Sequence, residues 1–285
     1  MDFILRIIEF VLAFVLSFFG GSGGATVAHS YRLPDNVAEC ELRVHYIDVG
    51  QGDCIYIELP EGKSMLIDAG TNDSVDTVCD YISNTGEDTL DYVVATHPHA
   101  DHIGGMDGVV ARFDIGTFYM PDVQSDTRTF ESMLDSLEAS DARVEVAKAG
   151  VVMCNEDNLT IQILSPTQAR YEDLNNYSSV VKLTYGETDF LFTGDAEKYA
   201  EKKIVADVSA DVLKVGHHGS DTSTGEEFLN RVNPAYAIIS SGEDNEYGHP
   251  HREVVERLRD RGIKIFRTDT QGTVVIGSDG KNIEY

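Results

Sequence analysis

Tyr92-Val93-Val94-Ala95-Thr96-His97-Pro98-His99-Ala100-Asp101-His102-Ile103-Gly104-Gly105 runs a short apolar strand straight into three histidines and an aspartate. Imidazole nitrogens and a carboxylate suit zinc or manganese, and their tight spacing in one loop lets neighbours point at two adjacent ions. In two-metal sites the ions sit roughly 3.5 to 4 Å apart and share a water that becomes nucleophilic near neutral pH. A histidine standing by itself is ordinarily a satisfied core or surface residue, which is how His29 and His45 read. His97, His99, Asp101 and His102, crowded at a strand end, read as metal ligands instead. The paired Gly104 and Gly105 let the backbone turn closely beneath such a site.

Working outward, Leu42, Val44, Tyr46 and Ile47 make one strand-like run and Cys54 to Ile57 with Leu59 another. The glycine-rich turn Asp48-Val49-Gly50-Gln51-Gly52-Asp53 joins them as a hairpin. A third strand, Ser64 to Ile67, ends in Asp68-Ala69-Gly70, and a helix follows over Ser74 to Ser83. Beyond the cluster, Phe130, Met133, Leu134 and Leu137 recur at helical spacing within Thr127 to Ser140. Strands are expected at Leu159 to Leu164, Ser179 to Tyr185 and Phe190 to Phe192, the last ending in Thr193-Gly194-Asp195. Helix Glu197 to Ile204, strand Val212 to Val215, helix Gly225 to Arg231, strand Ala235 to Ile239, helix His251 to Arg261 and a final strand pair complete the chain. Hairpins first, then strands alternating with helices, predict an α/β fold in which two mixed β-sheets pack together with helices outside.

The 285 residues, 42% hydrophobic, are enough to bury a full core in one large domain. With 49 acidic against 22 basic residues the formal charge is -27, which repels polyanions and membranes unless local patches or metal ions reverse the field. Cys40, Cys54, Cys79 and Cys154 have neither the density of a disulfide scaffold nor C-x-x-C spacing, so they read as structural, with one or two disulfides if the chain is exported. Residues 1–30 differ from the rest. The apolar run Phe10 to Phe19 is followed by Gly20-Gly21-Ser22-Gly23-Gly24, the outline of a signal peptide or N-terminal membrane anchor with a glycine-rich spacer. Asp2 and Glu9 depart from the net positive start that export signals prefer, and an amphipathic helix packed on the domain or a partner is the alternative. The expected location is therefore secreted or membrane-anchored, otherwise cytoplasmic.

Taken together, residues 41 to 280 resemble the metallo-β-lactamase superfamily, and within it the ComEC-type branch of competence-related hydrolases. The H-x-H-x-D-H cluster is superfamily-wide. The branch is indicated by Asp48 to Asp53, Asn175-Asn176-Tyr177-Ser178-Ser179-Val180-Val181, Leu213-Lys214-Val215-Gly216-His217-His218-Gly219-Ser220 and Tyr247-Gly248-His249-Pro250. The resemblance implies an αββα sandwich over a hydrolase domain of residues 31–285, holding two divalent ions, zinc or manganese. It implies His97, His99, Asp101 and His102 as ligands, Asp195 as the carboxylate bridging both ions, and His217 or His218 as the last histidine, with His217 placed first. Asp68 looks like the first-motif aspartate that braces the ligand loop, and His249 is placed to hold substrate or shuttle a proton. The superfamily usually supplies another histidine between the cluster and Asp195, yet residues 103 to 216 contain none; Asn176 or Ser178 stands there instead, near an ion or the substrate.

What the resemblance implies for function is a metal-activated hydroxide attacking an electrophilic phosphorus or carbonyl carbon, with Asp101 both ligand and catalytic group. It favours a phosphodiesterase or nuclease whose partner is DNA, short or single-stranded, with Gly216 to Ser220 and Ser223 as phosphate donors. Charge opposes a long duplex, because Lys148, Lys182, Lys202, Lys203 and Lys214 are scattered and no basic stretch is interleaved with aromatics. The competing readings are a hydrolase of small or cell-envelope esters, such as phosphorylcholine esters, cyclic nucleotides or lactones, and a metal-stabilised binding module without catalysis.

Overall fold

The computed structural model describes residues 33–285; the expected signal or anchor with its spacer, residues 1–30, lies outside the described residues, as does His29. The chain first lays down β1 (Leu42–Tyr46), β2 (Cys54–Glu58), β3 (Ser64–Ala69), β4 (Thr89–Val94), β5 (Asp114–Met120) and β6 (Arg143–Val146). It then builds β7 (Val152–Glu156), β8 (Leu159–Ser165), β9 (Val180–Tyr185), β10 (Thr188–Phe192), β11 (Val212–Lys214), β12 (Tyr236–Ile239) and β13 (Lys264–Arg267), and ends with β14 (Val274–Ser278) and β15 (Ile283–Glu284). Among the described residues these form two sheets, ordered β15-β14-β1-β2-β3-β4-β5-β6 and β13-β12-β11-β10-β9-β8-β7. Both sheets are mixed, with antiparallel hairpins at one side and parallel pairs at the other, as at β1·β2 and β4·β5. The last strands return to the first sheet, β14 pairing antiparallel with β1.

The strands are apolar on both faces, and the period of two decides where each side chain goes. From β2, Ile55 and Ile57 point between the sheets, where they meet Ile161, Leu183, Phe190 and Phe192. Their neighbours Cys54 and Tyr56 face the other way, onto a layer with Val78, Ile82, Phe130 and Met133 from the helices Val75–Asn84 and Arg128–Glu138. The second sheet is covered likewise by Glu226–Val232 and Arg252–Asp260, through Phe228, Leu229, Val254 and Leu258. Each such fully buried side chain contributes about 1.5–3 kcal/mol relative to exposure. The expected α/β sandwich of two mixed sheets with helices outside is thus the fold observed.

Several local expectations are corrected. Leu134, expected on the apolar stripe of its helix, is 39% exposed. The helix Met106–Arg112 and strands β5 to β7 carry no strong sequence pattern, because β6 and β7 are sheet edges with largely exposed side chains and β5 holds Gly116 in its middle. The helix expected from Glu197 to Ile204 is a single turn, Lys198–Glu201. All four cysteines are unpaired and buried, so no disulfide forms: Cys154 packs between the sheets, whereas Cys54 and Cys79 pack under helices. No described helix is long and apolar enough to cross a membrane.

Candidate metal centre

The site gathers at one end of the sandwich, on loops leaving β3, β4, β10, β11 and β12 and on the turn between β1 and β2. Asp68, near the end of β3, sets the geometry. It adopts a left-handed backbone (φ 58°) and is fully buried. Its Oδ1 accepts from the Thr96 amide at 2.8 Å, while Oδ2 accepts from Thr96 Oγ1 at 2.7 Å and from His102 Nδ1 at 2.7 Å. The His102 ring is thereby fixed with Nε2 aimed away from Asp68. The glycines have steric work here: a Cβ on Gly52 would stand 2.3 Å from the Asp101 carbonyl oxygen, and one on Gly104 would stand 2.3 Å from the Asn72 nitrogen. Only a residue without a side chain allows the hairpin turn to lie directly under the ligand loop, where the Asp53 amide bonds the Asp101 carbonyl at 3.2 Å.

Around Asp195, which follows β10, two groups of histidines assemble. On one side, Asp195 Oδ1 lies 3.2 Å from His102 Nε2, and Asp101 Oδ2 lies 3.2 Å from His218 Nε2. On the other, Asp195 Oδ2 lies 3.8 Å from His97 Nε2 and 3.6 Å from His217 Nε2, and His97 Nε2 lies 3.0 Å from His99 Nδ1. His218 Nε2 also approaches Asp195 Oδ2, at 3.6 Å. His217 and His218 both carry positive φ (51° and 53°), a conformation costing on the order of 1–3 kcal/mol per residue outside glycine and typical of functional sites.

Burial and charge oppose one another in this cluster. Burial lowers the His102 pKa, but Asp195, Asp68 and Asp101 outweigh it and hold that imidazole well above its ordinary value. Burial acts likewise on His218, which Asp195 and Asp53 raise to about 9. Asp195, which burial would push up, is instead held well below the usual carboxylate range by His102 and His218. His97 is driven well down by burial and by the neighbouring His102. The fit to a divalent cation can be tested on unpaired atoms. His102 Nε2, His218 Nε2, Asp195 Oδ1 and Asp53 Oδ1 are buried without a hydrogen-bond partner, each costing about 1–3 kcal/mol if left so. One ligand atom from each of Asp53, His102, Asp195 and His218 lies within 4.8 Å of all the others, so the donor set fits a cation.

The remaining sequence-predicted residues fall in unequal places. Of the histidine pair, the structure turns His218 into the buried cluster, whereas His217, placed first from sequence, is partly exposed and bonded through Nδ1 to Thr222 Oγ1 at 3.1 Å. Ser178 Oγ accepts from the Asp195 amide at 3.0 Å and lies 3.4 Å from His97 Nδ1, so it braces two site residues. Asn176 turns away: its amide bonds Glu197 at 3.1 Å and accepts from the Ala200 amide at 3.3 Å. Ser220 is buried and bonded to Thr222 Oγ1 at 3.1 Å, and Ser223 is completely buried with its hydroxyl lacking a hydrogen-bond partner. His249 keeps its Nδ1 buried and unpartnered, with ring centroids 5.5 Å from His217 and 6.2 Å from His218. Burial and the neighbouring His218 and His217 lower its pKa to about 4.

Two participants escaped the sequence reading. Asp53 lies 3.3 Å from His218 Nδ1, which also bonds the Ser240 carbonyl at 3.0 Å, and its other oxygen takes the Lys214 ammonium at 2.8 Å. The signal for Lys214 was its position inside the apolar strand Val212-Leu213-Lys214-Val215, where a lysine reaches no solvent.

Fold and cluster agree with comparison to known proteins. The sequence profile of the metallo-beta-lactamase superfamily matches residues 47–243, and the chain belongs to that superfamily, a hydrolase family of this fold. Its relatives include competence proteins of the ComEC type, as the branch motifs implied. It is 32% identical to ComE operon protein 3 of Bacillus subtilis over 254 residues, covering 82% of this chain and 33% of that one. It is 31% identical to Competence protein ComA of Neisseria gonorrhoeae, covering 87% and 34% respectively. The chain thus spans about a third of the length of these relatives. Among solved structures, CmlA, a diiron beta-hydroxylase from Streptomyces venezuelae, superposes with a TM-score of 0.57 at 13% identity, over 84% of this chain and 54% of that one. The metallo-beta-lactamase fold protein YhfI from Bacillus subtilis gives 0.54 at 12%, over 82% and 99%. At such identities the two structures speak for the fold.

Proposed function

We propose that the chain is a metal-dependent phosphodiesterase acting on nucleic-acid strands, with short or single-stranded DNA as its first substrate. The observation that carries this reading is the Asp195 carboxylate facing histidines with both oxygens, amid buried ring nitrogens that have no hydrogen-bond partner. In this reading His97, His99 and Asp195 would hold one ion, and Asp101, His102, His218 and Asp195 would hold the other. The nitrogen and oxygen donors, with no thiolate among them, suit zinc or manganese. When bound, such ions supply Lewis-acid polarisation of a phosphoryl oxygen and a water that is nucleophilic near neutral pH.

The chain's own groups do the positioning. Asp68 locks the His102 tautomer by accepting from Nδ1, and the Ser240 carbonyl does the same service for His218 at 3.0 Å, with the Asp53 carboxylate beside it at 3.3 Å. Ser178 stands where the superfamily's extra histidine is missing and holds the Asp195 backbone. His249, whose pKa burial and the neighbouring histidines lower to about 4 and whose Nδ1 has no partner, would offer a ring nitrogen to hold a phosphate oxygen or to pass a proton to the leaving group. The names of the relatives, competence proteins and Recombination protein 2 of Haemophilus influenzae, support a DNA substrate.

One observation favours small or cell-envelope esters instead. Of the scattered lysines, Lys182 is tied to Asp207 at 2.8 Å and Lys214 to Asp53, so neither is available to a phosphate backbone. The test is hydrolysis of a labelled oligonucleotide beside a phosphorylcholine ester and a lactone, with Asp101→Ala/His102→Ala as control. The double variant should stay folded by circular dichroism and lose turnover; turnover that survives it after metal removal rules the mechanism out. A metal-loaded chain inactive on every ester class would leave the binding-module reading. Export or anchoring through residues 1–30 belongs to the same proposal, tested by sequencing the mature N-terminus.

A further inference from the structure

Among the described residues, large exposed apolar side chains are scattered, and Tyr247 is the one of them joined to the histidine cluster by ring contacts. Its ring stacks on His249, centroids 5.7 Å apart at 20°, and His249 in turn lies 5.5 Å from His217, whose Nε2 approaches Asp195 at 3.6 Å. With one face on His249, Tyr247 still keeps 67% of its surface in water. Its loop is held in place by Asn245, whose amide donates to the carbonyls of Gly242 at 2.9 Å and His249 at 2.5 Å and accepts from the His249 amide at 2.9 Å. The Gly242 amide is itself tied to Gln51 at 3.2 Å, on the turn beneath the ligand loop. An aromatic ring on so fixed a loop loses little freedom on binding.

The surroundings say what such a ring can take. Glu243, Asp244 and Glu246 share its loop, and the chain carries a formal charge of -27, so a phosphate backbone lying along this rim is repelled. A nucleobase is not, because stacking needs no positive charge and every base has a π-face. We propose that Tyr247 is a base-stacking platform at the mouth of the cluster, taking the base next to the scissile phosphate, so that the substrate class of this site is an unpaired strand bearing bases. The proposal rests on the phosphodiesterase reading above. Duplex DNA does not satisfy it, since its base faces are already stacked, nor does a base-free diester.

The experiment compares a labelled oligothymidylate with an abasic strand of equal length, on the wild type, Tyr247→Ala and Tyr247→Phe, by steady-state kinetics and by fluorescence anisotropy. Base–aromatic stacking corresponds to roughly a fivefold to 150-fold preference, so the wild type should show at least a fivefold lower KM and tighter binding for the base-bearing strand. In Tyr247→Ala that ratio should fall toward one, while Tyr247→Phe keeps it, and the preference should persist at raised salt. An unchanged ratio in Tyr247→Ala overturns the platform, because a general structural effect moves both strands equally. If the wild type cleaves neither strand, the phosphodiesterase reading fails and anisotropy still decides: equal binding of the two strands overturns the platform, and a preference lost in Tyr247→Ala upholds it.

Discussion

The Lys214 ammonium lies 2.8 Å from Asp53 Oδ2, with both side chains sealed from water at 0% and 1% exposure. The same ammonium donates to the Val215 carbonyl at 2.9 Å, and the other Asp53 oxygen lies 3.3 Å from His218 Nδ1. A lysine that formally adds to the positive charge available for phosphate is therefore committed to the interior, neutralising the carboxylate that lies beside a site histidine. Removing one partner of a buried ion pair leaves an uncompensated charge, a loss of about 3–5 kcal/mol. Lys214→Met should lower the unfolding free energy by that amount in urea melts, and adding Asp53→Asn should recover part of it. A loss below about 1 kcal/mol would mean that the pair contributes nothing the interior needs.

The neighbouring histidines should behave differently despite their adjacency. His218 Nε2 faces Asp101 at 3.2 Å and Asp195 at 3.6 Å from a fully buried position, whereas His217 is partly exposed and engaged by Thr222. His218→Ala should weaken divalent-ion affinity by more than the roughly 10–100-fold that follows loss of an outer-shell partner. His217→Ala should cost less, by isothermal titration calorimetry with manganese or zinc. The reverse order of effects would place His217 at the ion.

How far the sequence carried these conclusions depended on whether the signal was local. His97 to His102 are contiguous and follow an apolar strand, so metal chemistry was legible from six residues, and apolar strands first in hairpins and later alternating with helices showed the sandwich. Asp195 needed the family resemblance, because a lone glycine-aspartate turn has no chemistry of its own. What stayed hidden depends on partners far along the chain. Asp53 finds Lys214 only after the sheets stack, and the choice between His217 and His218 lies in two left-handed backbone angles. Strands β6 and β7 hid for a simpler reason: at sheet edges nothing enforces alternation.

Asp68 supplies a prediction that separates bracing from ligation. It accepts three hydrogen bonds, two from Thr96 and one from His102 Nδ1, while the opposite ring nitrogen of His102, Nε2, is the one that faces Asp195 at 3.2 Å. Asp68→Asn keeps the shape but offers an N–H where His102 needs an acceptor. Metal affinity should fall by about 10–100-fold while the chain remains folded. Unaltered affinity in calorimetry would remove Asp68 from the support of His102.

Beneath the other side of the site, Glu201 predicts a pH dependence of stability. It is 2% exposed and accepts from the amides of Thr224 at 2.5 Å and Gly225 at 3.0 Å, while Thr224 Oγ1 accepts from the Gly216 amide at 3.0 Å just before the histidine pair. Burial outweighs those bonds and raises its pKa from 4.5 to about 7. A group whose native pKa is raised holds its proton more tightly when folded. Its contribution to stability is therefore complete below pH 4.5 and is lost as pH rises through about 7. At about 1.4 kcal/mol per unit the loss is on the order of 3 kcal/mol. Urea melts across that range should show wild-type stability falling relative to Glu201→Gln, which has no proton to lose. A difference between the two that stays constant with pH would mean Glu201 is ionised in the folded chain throughout, its charge carried by the two backbone amides.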